Sequence, residues 1–407
     1  MASIGIGSPP AGHPPVVHFR AFNELRFLAA FGVIIHHIEV NKYRLGYESL
    51  VGHPLFDRFI THLGQFAVSC FFALSGFLMT YLLLEEHRVA GAINVKAFYI
   101  RRVLRIWPLY FLTVAIGFVL MPGLAHLTQL PSIYQKRIDA LEMHWGGALL
   151  LFVFMLPNLA LRFYPPVVGA SHAWSIGVEE QFYALWPWFM RWFRRRLVAA
   201  LVGLVAAKFA LQALAYGISI TTTDSSIRNA AGLAHVFLSR LWIENMAFGG
   251  LGAWAVVAGV APRLVSWPIQ FASTAAILLV TFASTGSKLI DHLIEPLAFT
   301  ILMINLSLNP RPLFRVDSAW MNRLGQISYG LYMFHPAVIV WTFTVLPPTA
   351  ANHTGLLSAA AYAIVLPVTW LLSHLSYRYL ESRFLARKPR YSVVMSAPES
   401  HTEGTRL

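Results

Sequence analysis

Long apolar runs recur along the whole of this 407-residue chain, and nothing else in it constrains the fold as strongly. Eleven of them stand at about 21–40, 63–84, 103–121, 146–160, 178–192, 197–216, 237–257, 267–284, 293–308, 325–346 and 355–377. A helix of roughly 20 apolar residues is long enough to cross a bilayer. Only 12% of the residues are charged, about half the share of a soluble domain. The expected fold class is therefore all-α, a polytopic transmembrane helix bundle.

The net charge of +13 does not point to nucleic acid, because the arginines gather at the ends of apolar runs. That is the pattern of cytoplasmic loops in a membrane protein. Four clusters stand out: Arg101, Arg102 and Arg105; Arg191 and Arg194 to Arg196; Arg311, Arg315 and Arg323; and Arg378, Arg383, Arg387, Lys388 and Arg390. All four fall on one side only if one of the three runs between Arg105 and Arg191 does not cross. The run 146–160 is short, opens with Gly146-Gly147 and stops at Pro157, as a re-entrant or interfacial segment does. The expectation is about ten spanning helices plus this short non-spanning segment, multi-pass in an inner or plasma membrane, with both termini cytoplasmic. Residues 1–20 and 386–407 are expected to be a disordered cytoplasmic N-terminus and a cytoplasmic tail flanking a membrane domain over 21–385. Met1 to Val17 lacks an apolar core and is not read as a cleavable signal. The single cysteine, Cys70, sits in an apolar run and reads as packing.

Five stretches carry groups that a bilayer makes costly. In N-E-L-R-F-L-A-A-F-G-V-I-I-H-H-I-E-V, Arg26 and His37 are eleven residues apart, about three turns and roughly 16 Å along one helix face. His36 points about 100° away from that face. In F-F-A-L-S-G-F-L, Ser75-Gly76 is a small pair that suits close helix approach. In Y-I-R-R-V-L-R-I-W-P-L-Y, Arg102 and Arg105 share a face. They serve either as a topology signal or as a fork for donor phosphate. In H-A-W-S-I-G-V-E-E-Q-F-Y, Glu179 and Glu180 enter an apolar run together, and burying both calls for cationic partners. In I-S-Y-G-L-Y-M-F-H-P, His335 lies at a depth like that of His37, and Pro336 is expected to disrupt the helix. Taken singly, each group is also explained by a helix–helix hydrogen bond, as are Arg240, Glu244 and Asn245. No metal motif, Walker loop, dinucleotide fingerprint or G-x-S-x-G elbow is present.

Together these five motifs, across about residues 20 to 385, resemble the acyltransferase-3 family of integral-membrane acyltransferases. The family's arginine, ten residues and histidine fit Arg26 and His37. Its S-G-F-L fits Ser75 to Leu78, and its R-x-x-R-I-x-P-x-Y fits Arg102, Arg105, Ile106, Pro108 and Tyr110. Its W-S-x-x-V-E-E-Q-F-Y fits Trp174 to Tyr183, and its S-Y-x-x-Y-x-x-H fits Ser328 to His335. Asn23-Glu24 stands where many members carry Asp-Gly, and the extracytoplasmic hydrolase-like domain that some relatives append is not expected here.

The resemblance implies O-acyl transfer from cytoplasmic acyl-CoA, acetyl-CoA in the best-known members, to a hydroxyl of a cell-surface or lipid-linked carbohydrate. The expected site then comprises His37, Arg26, Glu179 and Glu180 at the reacting centre. Arg101, Arg102, Arg105, Tyr110 and Ser75 would line the donor, and His172, Trp174, His335 and Glu244 the acceptor, with no metal. His37 could act as general base or as a covalent acyl carrier. The expected partners are membrane lipid and a carbohydrate or glycolipid acceptor. The competing class is a transporter or flippase, against which stands the lack of an internal repeat.

Overall fold

A computed structural model describes residues 5–7, 15–283, 288–346 and 355–396. These are helical apart from a patch of three short strands. The chain opens with α1 (Phe22–Arg44), α2 (Asp57–Ala90) and α3 (Val95–Ala115). A π turn at Ile116–Leu120 carries α3 into α4 (Met121–Leu127). Three short helices follow, α5 (Ser132–Glu142), α6 (Trp145–Val153) and α7 (Pro157–Phe163). Then come α8 (Trp174–Phe193) and α9 (Leu197–Thr221), joined by a turn of three arginines, Arg194–Arg196. Next are α10 (Ser225–Ser239), α11 (Ile243–Val257), α12 (Trp267–Phe282) and α13 (Lys288–Leu308). The last helices are α14 (Ala319–Gln326), α15 (Ser328–Val345), α16 (Gly355–Ser376) and α17 (Ser382–Leu385).

Five stretches among the described residues are long and apolar enough to cross a membrane: Asp57–Ala90, Val95–Leu127, Ser171–Thr221, Leu289–Leu308 and Gly355–Tyr391. That is half the expected ten. α1 and α15 are missing from the set because of what they carry. α1 holds Glu24, Arg26, His36, His37 and Glu39, and α15 holds Ser328, Tyr329, Tyr332 and His335. The helices that bear the polar groups are the ones whose apolar character is diluted.

Two runs fold differently from a single helix. The run 146–160 breaks at Met155, which takes a left-handed backbone (φ 59°), and Pro157 opens the next helix. α7 doubles back on α6, so that Tyr164 lies over Gly147. The seventh run, 237–257, breaks at Trp242 (φ 47°). Its first part belongs to α10, fastened to α9 where His235 meets the Gln212 carbonyl at 3.1 Å. The turn sends the Trp242 ring among Phe72, Trp174 and His292. Conversely, α15 runs unbroken through Pro336, since packed neighbours tolerate the missing bond.

α2 and α11 pack closest of all. A Cβ at Gly76 would fall on the Met246 carbonyl oxygen, and one at Gly249 on the Ala73 carbonyl oxygen. Each helix thus supplies a glycine against the other's backbone, the close approach expected of Ser75-Gly76. On its other side α2 packs with α1, which in turn meets α14 and α15.

Both terminal stretches, expected to be without structure, contribute strands. β1 (Gly5–Gly7) pairs antiparallel with β2 (Val16–His18), and β2 pairs parallel with β3 (Met395–Ser396). Just before β3, the Tyr391 carbonyl accepts from Arg101 at 2.5 Å.

Candidate active site

The helical phase of α1 places Arg26, His37, Asn41 and Arg44 along one face, and they line two separate voids. The first is an arginine cavity, bounded by Arg26, Ser75, Arg102, Arg105, Glu179 and Tyr183 with apolar walls such as Phe72 and Met79. Arg26 is steadied by Asn23, whose Oδ1 accepts from its Nη1 at 3.2 Å. The Arg102 guanidinium lies over the rings of Phe98 and Tyr183 at 5.8 and 5.7 Å. Arg105 stands over Tyr329, 3.9 Å from the Glu381 carboxylate. The Ser75 hydroxyl donates to Glu179 Oε1 at 2.5 Å. A partly buried wall of three guanidiniums, a carboxyl and a hydroxyl is suited to a phosphorylated ligand with a polar arm.

The second void is a histidine cavity, lined by His37, Asn41, Arg44, Tyr134, Arg137, His172 and Trp174. The partition between the two is thin. Ser175 and Tyr332 face the arginine cavity, whereas His172 and Trp174, next to Ser175 in sequence, face the other. The Tyr332 hydroxyl closes the partition, 2.7 Å from Ser175 Oγ and donating to the His172 carbonyl at 2.9 Å. His335 is fully buried within it, its ring 5.0 Å from that of His37 and 5.3 Å from that of His172.

The hydrogen-bond pattern favours one pair of tautomers. His37 Nδ1 faces the Val33 carbonyl at 3.1 Å, and His335 Nδ1 faces the Leu331 carbonyl at 3.3 Å. A carbonyl only accepts, so each Nδ1 bears the hydrogen. His335 Nε2, 3.1 Å from His37 Nδ1, then shares that one hydrogen with the Val33 carbonyl. His37 Nε2 is left with a free lone pair, the state needed to take a proton or attack a carbonyl carbon. Asn41 holds the next turn, donating to the His37 carbonyl at 2.7 Å and accepting from Tyr134 at 2.9 Å.

Several expected site residues lie elsewhere. Arg101 is committed to Glu86 at 2.8 Å and does not line the arginine cavity. Tyr110 is buried and donates to the Phe152 carbonyl at 2.8 Å. Glu180 accepts from the Trp107 indole at 3.1 Å rather than facing the cavity with Glu179. Glu244 lies in a buried cluster, 3.2 Å from both Lys208 Nζ and His292 Nδ1. His36 faces the Ile60 carbonyl at 2.8 Å, a helix-to-helix bond. Arg26 and His37 share a face but not a void. Conversely, sequence reasoning assigned no part to Ser175 and Tyr332, although both sit inside quoted motifs, nor to Asn41 and Arg44, at four and seven residues from His37.

The chain matches the acyltransferase domain over residues 19–374. It is 24% identical over 404 residues to the O-acetyltransferase OatA of Staphylococcus aureus, covering 94% of this chain and 59% of that protein. To the peptidoglycan O-acetyltransferase OatA of Listeria monocytogenes it is 25% identical over 381 residues, covering 88% of this chain and 54% of that protein. The chain thus spans a little over half the length of these curated relatives. No solved structure matches it.

Proposed function

We propose, from the premise that this chain belongs to the acyltransferase-domain family, that it is a membrane-embedded O-acyltransferase. In this reading it moves an acetyl group from cytoplasmic acyl-CoA to a carbohydrate hydroxyl. The observation that carries the proposal is the His37–His335 pair, 3.1 Å apart, at the partition between an arginine-lined cavity and a second, open one. The relatives' printed names, O-acetyltransferase and peptidoglycan O-acetyltransferase, support the transferred group and the acceptor class.

The donor occupies the arginine cavity. Arg102, Arg105 and Arg26 hold phosphate oxygens, and the Ser75–Glu179 pair offers hydrogen-bond partners to the pantetheine arm. Its thioester reaches His37 only by displacing the Tyr332 hydroxyl from Ser175 and the His172 carbonyl. The acceptor enters the histidine cavity. His37 Nε2 takes the proton from its hydroxyl, or first accepts the acyl group and then passes it on. In either order the proton ends on the CoA thiol. His335 holds the His37 tautomer, and Trp174 forms part of the acceptor wall.

The test is acetyl transfer to carbohydrate by the purified protein in detergent, with acetyl-CoA supplied. Wild type should consume donor and form ester, whereas Arg102→Ala and Arg105→Ala should bind acetyl-CoA at least about tenfold more weakly. Charge-assisted contacts to phosphate are worth about 1.5–3 kcal/mol each. Unchanged donor affinity in both variants would leave these arginines as topology signals and remove the donor assignment.

Orientation belongs to the same proposal: ten crossings, both termini cytoplasmic, and α6–α7 dipping in without crossing. On a Cys70→Ala background, an impermeant thiol reagent added outside should label Lys136→Cys but neither Lys96→Cys nor Arg195→Cys. Labelling of Arg195→Cys from outside would overturn this arrangement.

A further inference from the structure

Two arginines stand at the histidine cavity, Arg44 exposed and Arg137 partly buried. Arg44 lies seven residues beyond His37 on α1, nearly the same angular position and about 10 Å further along the axis. Arg137 comes from α5, a separate element, and lines the same void. Among the described residues neither makes a hydrogen bond or an ion pair. The acids Glu39, Asp139 and Glu142 are already engaged, and the exposed Glu48 makes no ion pair with either arginine. Glu39 is held by Lys42, Ser49, the Leu50 amide and Tyr362. Asp139 accepts from Gln135, and Glu142 faces His126. Half-burial, and after it the facing Arg44, pull Arg137 below the ordinary arginine value. Two like charges gathered at one cavity are mutually unfavourable until an anion joins them.

The donor does not meet this need, because its phosphates are assigned to the arginine cavity on the far side of the Tyr332 partition. We infer that Arg44 and Arg137 form an anion subsite for the acceptor, and that the acceptor is an anionic carbohydrate bearing a phosphate or carboxylate about one sugar residue from the hydroxyl that is acylated. This rests on the acceptor assignment above and narrows it to a charge class. The spacing follows from α1: with the reacting oxygen at His37, a group at Arg44 is about two helical turns away, roughly the width of a hexose plus its substituent. A guanidinium pair suits either anion through forked hydrogen bonds. Asn41, between the two positions and lining the same wall, offers a neutral partner for the intervening hydroxyls.

Binding, measured apart from turnover, tests it. Methyl glucoside, methyl glucuronide and glucose 1-phosphate are titrated into the purified full chain in detergent and read by ligand-induced shift in melting temperature. At least one of the two anionic sugars should bind about tenfold or more tightly than the neutral one, with a preference that weakens as salt rises. Which of the two binds tighter names the anion. Arg44→Gln with Arg137→Gln should erase the preference, and Arg44→Lys with Arg137→Lys should keep most of it, which separates loss of charge from loss of fold. Equal binding of all three sugars, binding of none, or a preference that survives the double glutamine variant overturns the inference. Acetyl-CoA binding is read on the same samples. If it is absent while the anion preference holds, the donor reading fails and this one stands.

Discussion

Replacing His37 by alanine is expected to remove nearly all acyl transfer, roughly 10²–10⁴-fold, the usual contribution of a positioned general base. The adjacent His36→Ala should cost far less, because its ring is spent on the Ile60 carbonyl, a bond worth about 1 kcal/mol. His335→Ala should fall between them, since it leaves the base in place but removes the acceptor that orients it. The measurement is ester formed per molecule of folded protein. Equal losses at His36 and His37, or a larger loss at His36, would move the reacting face of α1 elsewhere and undo the site.

Glu244→Ala should act on folding and leave chemistry alone. Its carboxylate is fully buried against Lys208 and His292, and Lys208 is itself 5% exposed. Taking away one partner strands a buried cation, a loss of about 3–5 kcal/mol. The recovered folded fraction and the melting temperature in detergent should both fall sharply, while transfer per folded molecule stays near wild type. Adding Lys208→Met should recover part of the loss, because it removes the stranded cation while the cavity left by Glu244 remains. A Glu244→Ala protein that folds normally but no longer transfers would return Glu244 to the acceptor site.

What the sequence revealed and what it hid divide along the range of the interactions. Arg26 and His37 are read as co-facial because one helix period relates them. The same arithmetic separates His36, whose partner is on α2. The close approach at Gly76 is local composition made visible as packing. His335 was matched to His37 only through equal depth, and the contact spans 298 positions of chain. The partition between the cavities was illegible, because it depends on Tyr332 meeting Ser175 across 157 positions. Arg101 could not be told from Arg102 and Arg105, since its partner Glu86 sits on the preceding helix. The break at Trp242 carries no glycine or proline to announce it. A large ring settles among three others, and the backbone follows.

The arrangement of α1 also limits how such a protein can vary. Arg26, His37 and Arg44 sit on one rigid rod at intervals of eleven and seven residues, close to three and two whole turns. One inserted residue would swing everything beyond it by about 100°, out of register with its cavity. Only insertions near a full turn preserve the facing, and each changes the reach by about 5.4 Å. In the proposed mechanism the donor arm has a set length, which would lock the interval from Arg26 to His37. The interval beyond His37 is under no such restraint. If Arg44 anchors the acceptor as inferred above, the distance from the reacting hydroxyl to that anchor would change along it only in steps of one turn.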